Sequence, residues 1–273
     1  MTRLLIFGLG YAAGFVAQAV RAGGGAVMAT GRSGDLDFAD GDGVRAAIMA
    51  ATHILSSVPP GDDGDPVLDT YGDALGDRWL GYLSSTGVYG DACGAWVDEA
   101  TPIAGRRANR NAADARWLAL GARVFRLPGI YGPGRSPLDR VAQGKAHLTA
   151  LPDQVFSRIH VADIAGGVIA GFTAPPGAYN LSDDLPANQD AVITHAAQLL
   201  GVAPPPVVDL ATLSPQARAF YAENRRVANG KAKRVAGWTL RYPDYRLGLR
   251  ALSAMTSPTI ASAAPPAASS DQR

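Results

Sequence analysis

Short apolar runs alternate with segments of helical periodicity through the first half of the chain. The runs predict strands at residues 3–7, 26–30, 53–58, 79–85 and 123–127. Between them, apolar residues at helical spacing predict helices at residues 11–22, 44–51, 66–75 and 106–120. Strands joined by helices need right-handed crossovers, which give a parallel sheet with helices on both faces. The pattern therefore predicts an α/β fold with a doubly wound parallel sheet.

The regular alternation weakens after about residue 130, where prolines divide the chain into short pieces. Helices are still predicted at residues 161–172 and 187–200. We expect residues 1–130 to form the core, and residues 131–256 to form a small C-terminal lobe interleaved with it. Residues 257–273 are rich in alanine, serine and proline without periodicity, which predicts a disordered tail.

A glycine pattern links the first strand to the first helix. Gly8 ends the apolar run, Gly10 follows two residues later, and Ala13 stands at the third position of a G-x-G-x-x-A motif. In this motif the first glycine allows a tight turn, the second lets the backbone approach a pyrophosphate, and the small third residue lets helix and strand pack closely. The pattern predicts a Rossmann-type dinucleotide site formed by Gly8, Gly10, Tyr11, Ala12 and Ala13.

Composition narrows the class of protein. The 273 residues are 47% hydrophobic, which is ample for a buried core, and the formal net charge is +1. Without a basic block we expect no nucleic-acid binding. The single cysteine, Cys93, excludes an internal disulfide and a cysteine-based zinc site and fits a reducing compartment. Without a signal peptide or a long apolar run, we expect a cytoplasmic protein with no membrane span and no metal.

The end of the second predicted strand bears on which dinucleotide binds. A carboxylate at this position favours NAD, because it bonds the ribose 2′-hydroxyl. Here the strand ends in Arg32 and Ser33, which suit a 2′-phosphate, so NADP is the predicted cofactor. Asp35 and Asp37 follow closely and would suit NAD if the turn is tighter, and Arg32 could instead lie on a solvated turn.

A hydroxyl-rich stretch follows the strand at 79–85. It reads S-S-T-G-V-Y-G from Ser84 to Gly90 and lies at the carboxyl edge of the predicted sheet, where ligands bind in α/β folds. Buried hydroxyls are costly without partners, so Ser84 and Ser85 are predicted to form hydrogen bonds. They could serve a ligand or only cap backbone groups.

Five motifs in this order resemble the extended short-chain dehydrogenases/reductases, the NAD(P)-dependent epimerase/dehydratase group. They are the glycine motif, SSTGVYG, RLPGIYGPGR (126–135), SRIHVADIA (157–165) and YNLSDD (179–184), followed by KRVAGW (233–238). The resemblance extends from residue 3 to about residue 253.

The resemblance implies roles for further residues. Ser85 matches the family's catalytic serine. His160 and Asp163 match a pair that supports the substrate-binding lobe. Segments expected along the cofactor and beside the nicotinamide contribute Ser56, Ser57, Val58, Ser84, Leu127, Pro128, Gly129 and Ile130.

The chain departs from the family at the catalytic Y-x-x-x-K pair. Counting back from Asp114, Arg106 stands at the tyrosine position and Arg110 at the lysine position. Arginine stays protonated, so Arg106 cannot act as a general base. Arg110 could bond ribose hydroxyls and Arg106 could hold an anionic substrate group, although the arginines could also form a solvated helix face.

Another group must then carry any proton. Tyr89 and Tyr131 are the first candidates, and Cys93 and His160 rank behind them. A phenol needs a nearby cation to lower its pKa from about 10. We expect the Arg106–Arg107–Arg110 cluster to supply that cation.

Two functions remain open. One is an oxidoreductase or epimerase/dehydratase acting on a small polar or anionic substrate, such as a nucleotide sugar, which the hydroxyl cluster and the later motifs favour. The other is a non-catalytic NADP-binding regulator or redox sensor, which the missing tyrosine and lysine favour. The resemblance also allows a homodimer.

Overall fold

The computed structural model of the chain describes residues 1–215, 218 and 221–256. The strands are β1 (Arg3–Phe7), β2 (Ala26–Ala29), β3 (His53–Ser56), β4 (Trp79–Ser85), β5 (Trp96–Val97), β6 (Arg123–Leu127), β7 (Gly129–Tyr131), β8 (Arg158–His160), β9 (Gly177–Asn180) and β10 (Arg226–Val227). Six of them form one parallel sheet in the order β2-β1-β3-β4-β6-β9. This topology confirms the predicted α/β class.

Helices cover both faces of the sheet. They are α1 (Tyr11–Ala22), α2 (Gly41–Ala50), α3 (Pro66–Tyr71), α4 (Ala108–Ala119), α5 (Pro137–Ala142), α6 (Val161–Ala170), α7 (Gln189–Leu200), α8 (Gly230–Ala236) and α9 (Tyr245–Thr256). In β1, Leu4 and Ile6 pack in the core with α1 and α6, whereas Leu5 and Phe7 pack in the core with α2, α3 and α4. Within the described part of the chain, no helix is long and apolar enough to cross a membrane.

The second half of the chain adds to this sheet and also builds a smaller unit. Strand β9 pairs with β6 at the edge of the main sheet. The smaller unit contains two two-stranded sheets, β7–β8 and β5–β10. A separate apolar cluster joins α5, α7 and α9 through Leu138, Val192 and Leu249. The predicted tail, residues 257–273, lies outside the described residues.

Two predicted boundaries are shifted near the site. The helix predicted from residue 106 begins at Ala108, because Arg107 has extended backbone angles (φ −96°, ψ 94°). Arg106 therefore precedes the helix. The strand predicted over 53–58 ends at Ser56, because the Ser57 side chain turns to donate a hydrogen bond to the Gly8 carbonyl oxygen at 2.5 Å.

A buried ion pair joins α4 to the centre of the sheet. Arg126 on β6 donates from Nη2 to Asp114 Oδ1 at 2.7 Å and from Nε to Oδ2 at 3.2 Å, and both side chains are almost fully buried. The Ser84 hydroxyl donates to the same carboxylate at 2.7 Å. On the other side, Arg126 Nη1 donates to the Tyr89 hydroxyl at 2.9 Å, which donates to Asn180 Oδ1 at 2.8 Å. These bonds fix β4, β6, β9 and α4 at the carboxyl edge of the sheet.

Replacing Asp114 by alanine leaves the Arg126 guanidinium buried without its anion. We expect Asp114→Ala to lower the free energy of unfolding by about 3–5 kcal/mol, measured by urea denaturation. Asp69→Ala is the matched control, because it breaks the exposed Arg116–Asp69 pair at 2.7 Å and should cost less than about 1 kcal/mol. Equal losses in the two variants would contradict the structural role assigned to Asp114.

Candidate functional site

The turn between β1 and α1 has the geometry that the glycine motif predicts. Gly8 has φ +82°, and a Cβ there would lie 2.9 Å from Val58 Cγ2. Its amide donates to Thr30 Oγ1 at 3.2 Å, which joins the turn to the end of β2. At Gly10, by contrast, no heavy atom lies within 4 Å of an added Cβ. The backbone at Gly10 is therefore open to a ligand.

The first turn of α1 faces this open space. Gly10 is the N-cap residue and no side chain caps the helix. Ala13 is fully buried, which lets the helix pack closely on the sheet. The uncapped amides of Tyr11, Ala12 and Ala13 leave a helix N-terminus suited to a pyrophosphate. These residues fit the diphosphate of a dinucleotide cofactor.

The end of β2 presents the predicted arginine. Arg32 and Ser33 are both exposed beyond the strand. The two nearby carboxylates bond to backbone amides instead: Asp35 Oδ2 accepts from Ala29 N at 3.1 Å, and Asp37 Oδ1 accepts from Ala39 N at 3.0 Å. Arg32 and Ser33 are thus exposed at the end of β2, where the sequence predicts that the adenosine ribose binds.

The serines at the end of β3 have protein partners. Ser57 donates to the Gly8 carbonyl oxygen, and the buried Ser56 Oγ accepts from Val58 N at 3.4 Å. The cofactor contacts expected of Ser56 and Ser57 stay a prediction. Val58 is half-buried beside Gly8, and its apolar side chain could pack on a ligand.

A cleft of about 880 Å³ opens beside this turn. Tyr11 connects the two, because its hydroxyl donates to the Pro133 carbonyl oxygen at 3.0 Å and the Arg135 guanidinium lies 5.7 Å from its ring centre. Arg135 lines the cleft. The predicted nicotinamide segment also lines it, through Leu127, Pro128, Gly129 and Ile130.

The two adjacent serines of the hydroxyl-rich stretch face different surroundings. Ser85 lines the cleft, and its Oγ accepts from Gly87 N at 3.1 Å, which leaves its proton available to donate. Ser84 is buried and donates to Asp114. The Ser84 hydroxyl thus belongs to the buried network, and the cofactor contact expected of Ser84 stays a prediction.

Arg106 and Arg110 line the same cleft as Ser85. Arg106 is exposed, and Nε donates to Glu223 Oε1 at 2.5 Å. Arg110 is half-buried, with Nη1 3.5 Å from the Tyr82 hydroxyl. The predicted serine and the two predicted arginines therefore border one cleft.

Tyr89, one of the two tyrosines expected to carry a proton, lies in the buried network. Its hydroxyl is buried and bonded to Arg126 and Asn180, and Tyr89 does not line the cleft. Burial raises the pKa of the Tyr89 phenol, although Arg126 opposes the rise. The cation beside it is thus Arg126, rather than the Arg106–Arg107–Arg110 cluster.

Tyr131 lines the cleft with part of its ring, but its hydroxyl lies elsewhere. The hydroxyl packs against Gly248 of α9, where an added Cβ would meet it at 2.1 Å. Burial and the neighbouring Asp183 carboxylate raise the pKa of this phenol far above its usual range. A phenol with so high a pKa is a weak acid, and the catalytic role expected of Tyr131 stays a prediction.

His160 and Cys93 are the remaining candidates for carrying a proton. His160 caps α6 through Nδ1, which accepts from Ala162 N at 3.2 Å, and burial lowers its pKa to about 4. Asp163 accepts from the amides of Arg241 and Tyr242, as a support of the lobe should. Cys93 is exposed, outside the cleft lining. Across the described ranges, no group of three or more His, Cys, Asp or Glu residues is placed to hold a metal ion.

Within the described chain, six of the nine charged residues that line the cleft were not predicted from the sequence. They are Arg135, Asp139, Arg140, Arg158, Glu223 and Arg225. Arg135 lies within the motif RLPGIYGPGR and Arg158 within SRIHVADIA, so these two motifs are the sequence signal that points to them. Glu223 lies 117 residues from its partner Arg106, and no local pattern connects the two.

Similar structures share this arrangement of strands. The chain aligns with a human epimerase family protein solved with NADPH at a TM-score of 0.75 and 16% identity, covering 93% of this chain and 99% of that one. At this identity the likeness shows a common fold. The chain has the same fold as a putative NAD-dependent epimerase/dehydratase from Methylobacillus flagellatus, which is 24% identical with a TM-score of 0.70 over 93% of this chain and 98% of that one.

Two further relatives are more similar in sequence. A conserved protein of unknown function from Silicibacter pomeroyi is 42% identical, with a TM-score of 0.83 over 93% of this chain and 99% of that one. A 3-diazoavenalumate denitrifying reductase from a Streptomyces species is 32% identical over 142 residues. That match spans 48% of this chain and 46% of the reductase. No protein-family model matches the chain.

The two glycines of the turn predict different outcomes when substituted. Gly10→Val places a side chain in the open space, so it should abolish NADP(H) binding while costing at most about 1 kcal/mol of stability as a poorer N-cap. Gly8→Ala meets Val58 and a left-handed backbone, so it should destabilise the fold by at least about 1–2 kcal/mol. Cofactor fluorescence and urea denaturation measure the two effects. Normal NADP(H) binding by Gly10→Val would exclude this turn as the diphosphate site.

Proposed function

We propose that the protein is an NADPH-dependent reductase of a small anionic substrate. The observation that carries the proposal is that Ser85, Arg106 and Arg110 all line one cleft, which Tyr11 links to the open glycine turn through Pro133 and Arg135. The similarity to a protein named a reductase supports the reaction type. NADPH would supply a hydride when bound beside residues 127–130.

The charge of the cleft supports an anionic substrate. Within the described residues, seven arginines and two carboxylates line it, in a chain whose formal net charge is +1. Both carboxylates are engaged: Asp139 accepts from the Ser136 amide and hydroxyl at 2.8 Å, and Glu223 bridges Arg106 and Arg225. The remaining positive charge favours a ligand that carries carboxylate or phosphate groups.

Ser85 and the arginines supply the chemistry that remains without a tyrosine. The Ser85 hydroxyl can donate a hydrogen bond to a substrate carbonyl oxygen. Arg110 and Arg106 can stabilise the negative charge that develops on that oxygen, because guanidinium groups in a partly desolvated cleft act strongly on it. Neither arginine gives up its proton, so solvent is the proton source that best fits this site.

A second candidate is an NADP-binding sensor without turnover. The specific observation behind it is the position of the two tyrosine hydroxyls, since neither Tyr89 nor Tyr131 presents a proton to the cleft. Such a protein would keep the glycine turn and Arg32 but would not consume the cofactor. Turnover separates the two candidates.

Arg32 should determine the choice of cofactor. A charge-assisted bond to the 2′-phosphate contributes about 1.5–3 kcal/mol, so Arg32→Ala should weaken NADPH binding by roughly 10- to 100-fold and leave NADH binding nearly unchanged. Fluorescence titration with both cofactors gives the two affinities. Arg21→Ala is the control, because Arg21 lies in the last turn of α1, at the end opposite the glycine turn. An equal effect of Arg32→Ala on both cofactors would contradict the proposed preference.

The reductase is tested by NADPH consumption with a panel of carbonyl compounds that carry carboxylate or phosphate groups. We expect turnover with at least one of them, and a kcat lower by about 10- to 1,000-fold in Ser85→Ala, because a donor to the developing oxyanion is lost. Tight NADPH binding without turnover across the panel would favour the sensor instead. Unchanged kcat in Ser85→Ala would remove Ser85 from the reaction.

A further inference from the structure

Glu223 places the chain's own carboxylate between two cleft arginines. Its Oε1 accepts from Arg106 Nε at 2.5 Å and its Oε2 accepts from Arg225 Nη1 at 2.6 Å. The Glu223 side chain is 13% exposed and that of Arg225 15%, whereas that of Arg106 is 57% exposed. One carboxylate thus bridges the two guanidinium groups. All three residues line the same cleft as Ser85.

The segment that carries Glu223 is anchored without help from this side chain. Asn224 bonds to two separate loops, through Asp91 Oδ1, the Asp153 carbonyl oxygen and the Val155 amide. Gln154 Nε2 donates to the carbonyl oxygen of Glu223 at 2.8 Å. The backbone therefore holds its place independently, and the Glu223 carboxylate can leave the arginines without displacing the segment.

The electrostatics match those of an anion site. Burial alone raises the pKa of Glu223, but hydrogen bonds from Arg106 and Arg225 outweigh it and hold the net pKa below its usual range. The carboxylate is therefore ionised at neutral pH. A carboxylate of a ligand would offer the two arginines the same pair of oxygens.

We propose that Arg106 and Arg225 form a carboxylate-binding subsite of the cleft, which Glu223 occupies until a carboxylate-bearing substrate displaces it. This inference rests on the proposed function, because it assigns a carboxylate to the anionic substrate. An internal carboxylate competes at an effective concentration of roughly millimolar or above. Only a ligand with further contacts, such as those at Ser85 and Arg110, would displace it.

Acetate is the matched probe for this subsite. Glu223→Ala removes a methylene and a carboxylate, which acetate replaces almost atom for atom. In the full-length chain, we expect acetate to raise the Tm of Glu223→Ala saturably, at constant ionic strength with chloride as reference. The wild type should need an acetate concentration at least about tenfold higher for the same shift, because Glu223 fills the subsite.

Two further variants control the experiment. Asp73→Ala removes a carboxylate from an exposed arginine pair, Arg45–Asp73, outside the cleft, and should not respond to acetate. Adding Arg106→Ala to Glu223→Ala should abolish the response. Equal acetate responses in Glu223→Ala and Asp73→Ala, or no response in Glu223→Ala, would overturn the subsite.

NADPH binding to the same samples separates this inference from the proposed function. If Glu223→Ala binds NADPH but ignores acetate, the subsite fails and the cofactor assignment stands. If acetate stabilises Glu223→Ala but no sample binds NADPH, the anion subsite stands and the proposed reductase fails.

Discussion

The buried pair between Arg126 and Asp114 is the interaction on which the site depends. It joins β6 to α4, and through Ser84, Tyr89 and Asn180 it extends to β4 and β9. A charge pair with so little solvent contact is stable only when its hydrogen bonds are satisfied, and here both groups have several partners. The pair therefore sets the positions of two residues that line the cleft. Ser85 follows Ser84 directly at the end of β4, and Arg110 lies one turn before Asp114 in α4.

The glycine turn and the arginine-lined cleft draw on different parts of the chain. Backbone geometry builds the turn at Gly8, Gly10 and the start of α1, so the turn does not depend on the residues of α4. Arg106 and Arg110 line the cleft together with residues 127–130. Guanidinium groups keep their protons and bind anions, so the side chains at these two positions favour anion binding over proton transfer.

The sequence predicted what local patterns encode. The strand–turn–helix at Gly8 needs only neighbouring residues, and so do the strand ends that carry Arg32 and Ser85. The positions of the Tyr89 and Tyr131 hydroxyls could not be predicted in this way, because the direction of a hydroxyl depends on packing against distant residues such as Asn180 and Gly248. Glu223 was missed for the same reason, since its partner Arg106 is far away in sequence.

The central claim is that a cofactor bound at the glycine turn meets Ser85 and Arg110 at the cleft. A crystal structure of the full-length protein grown with NADPH tests it most directly. The account predicts the diphosphate over Gly10, the 2′-phosphate at Arg32, and the nicotinamide between residues 127–130 and Ser85, with Arg110 towards its ribose. A dinucleotide bound away from Gly10, or a nicotinamide turned away from the arginine-lined cleft, would contradict it.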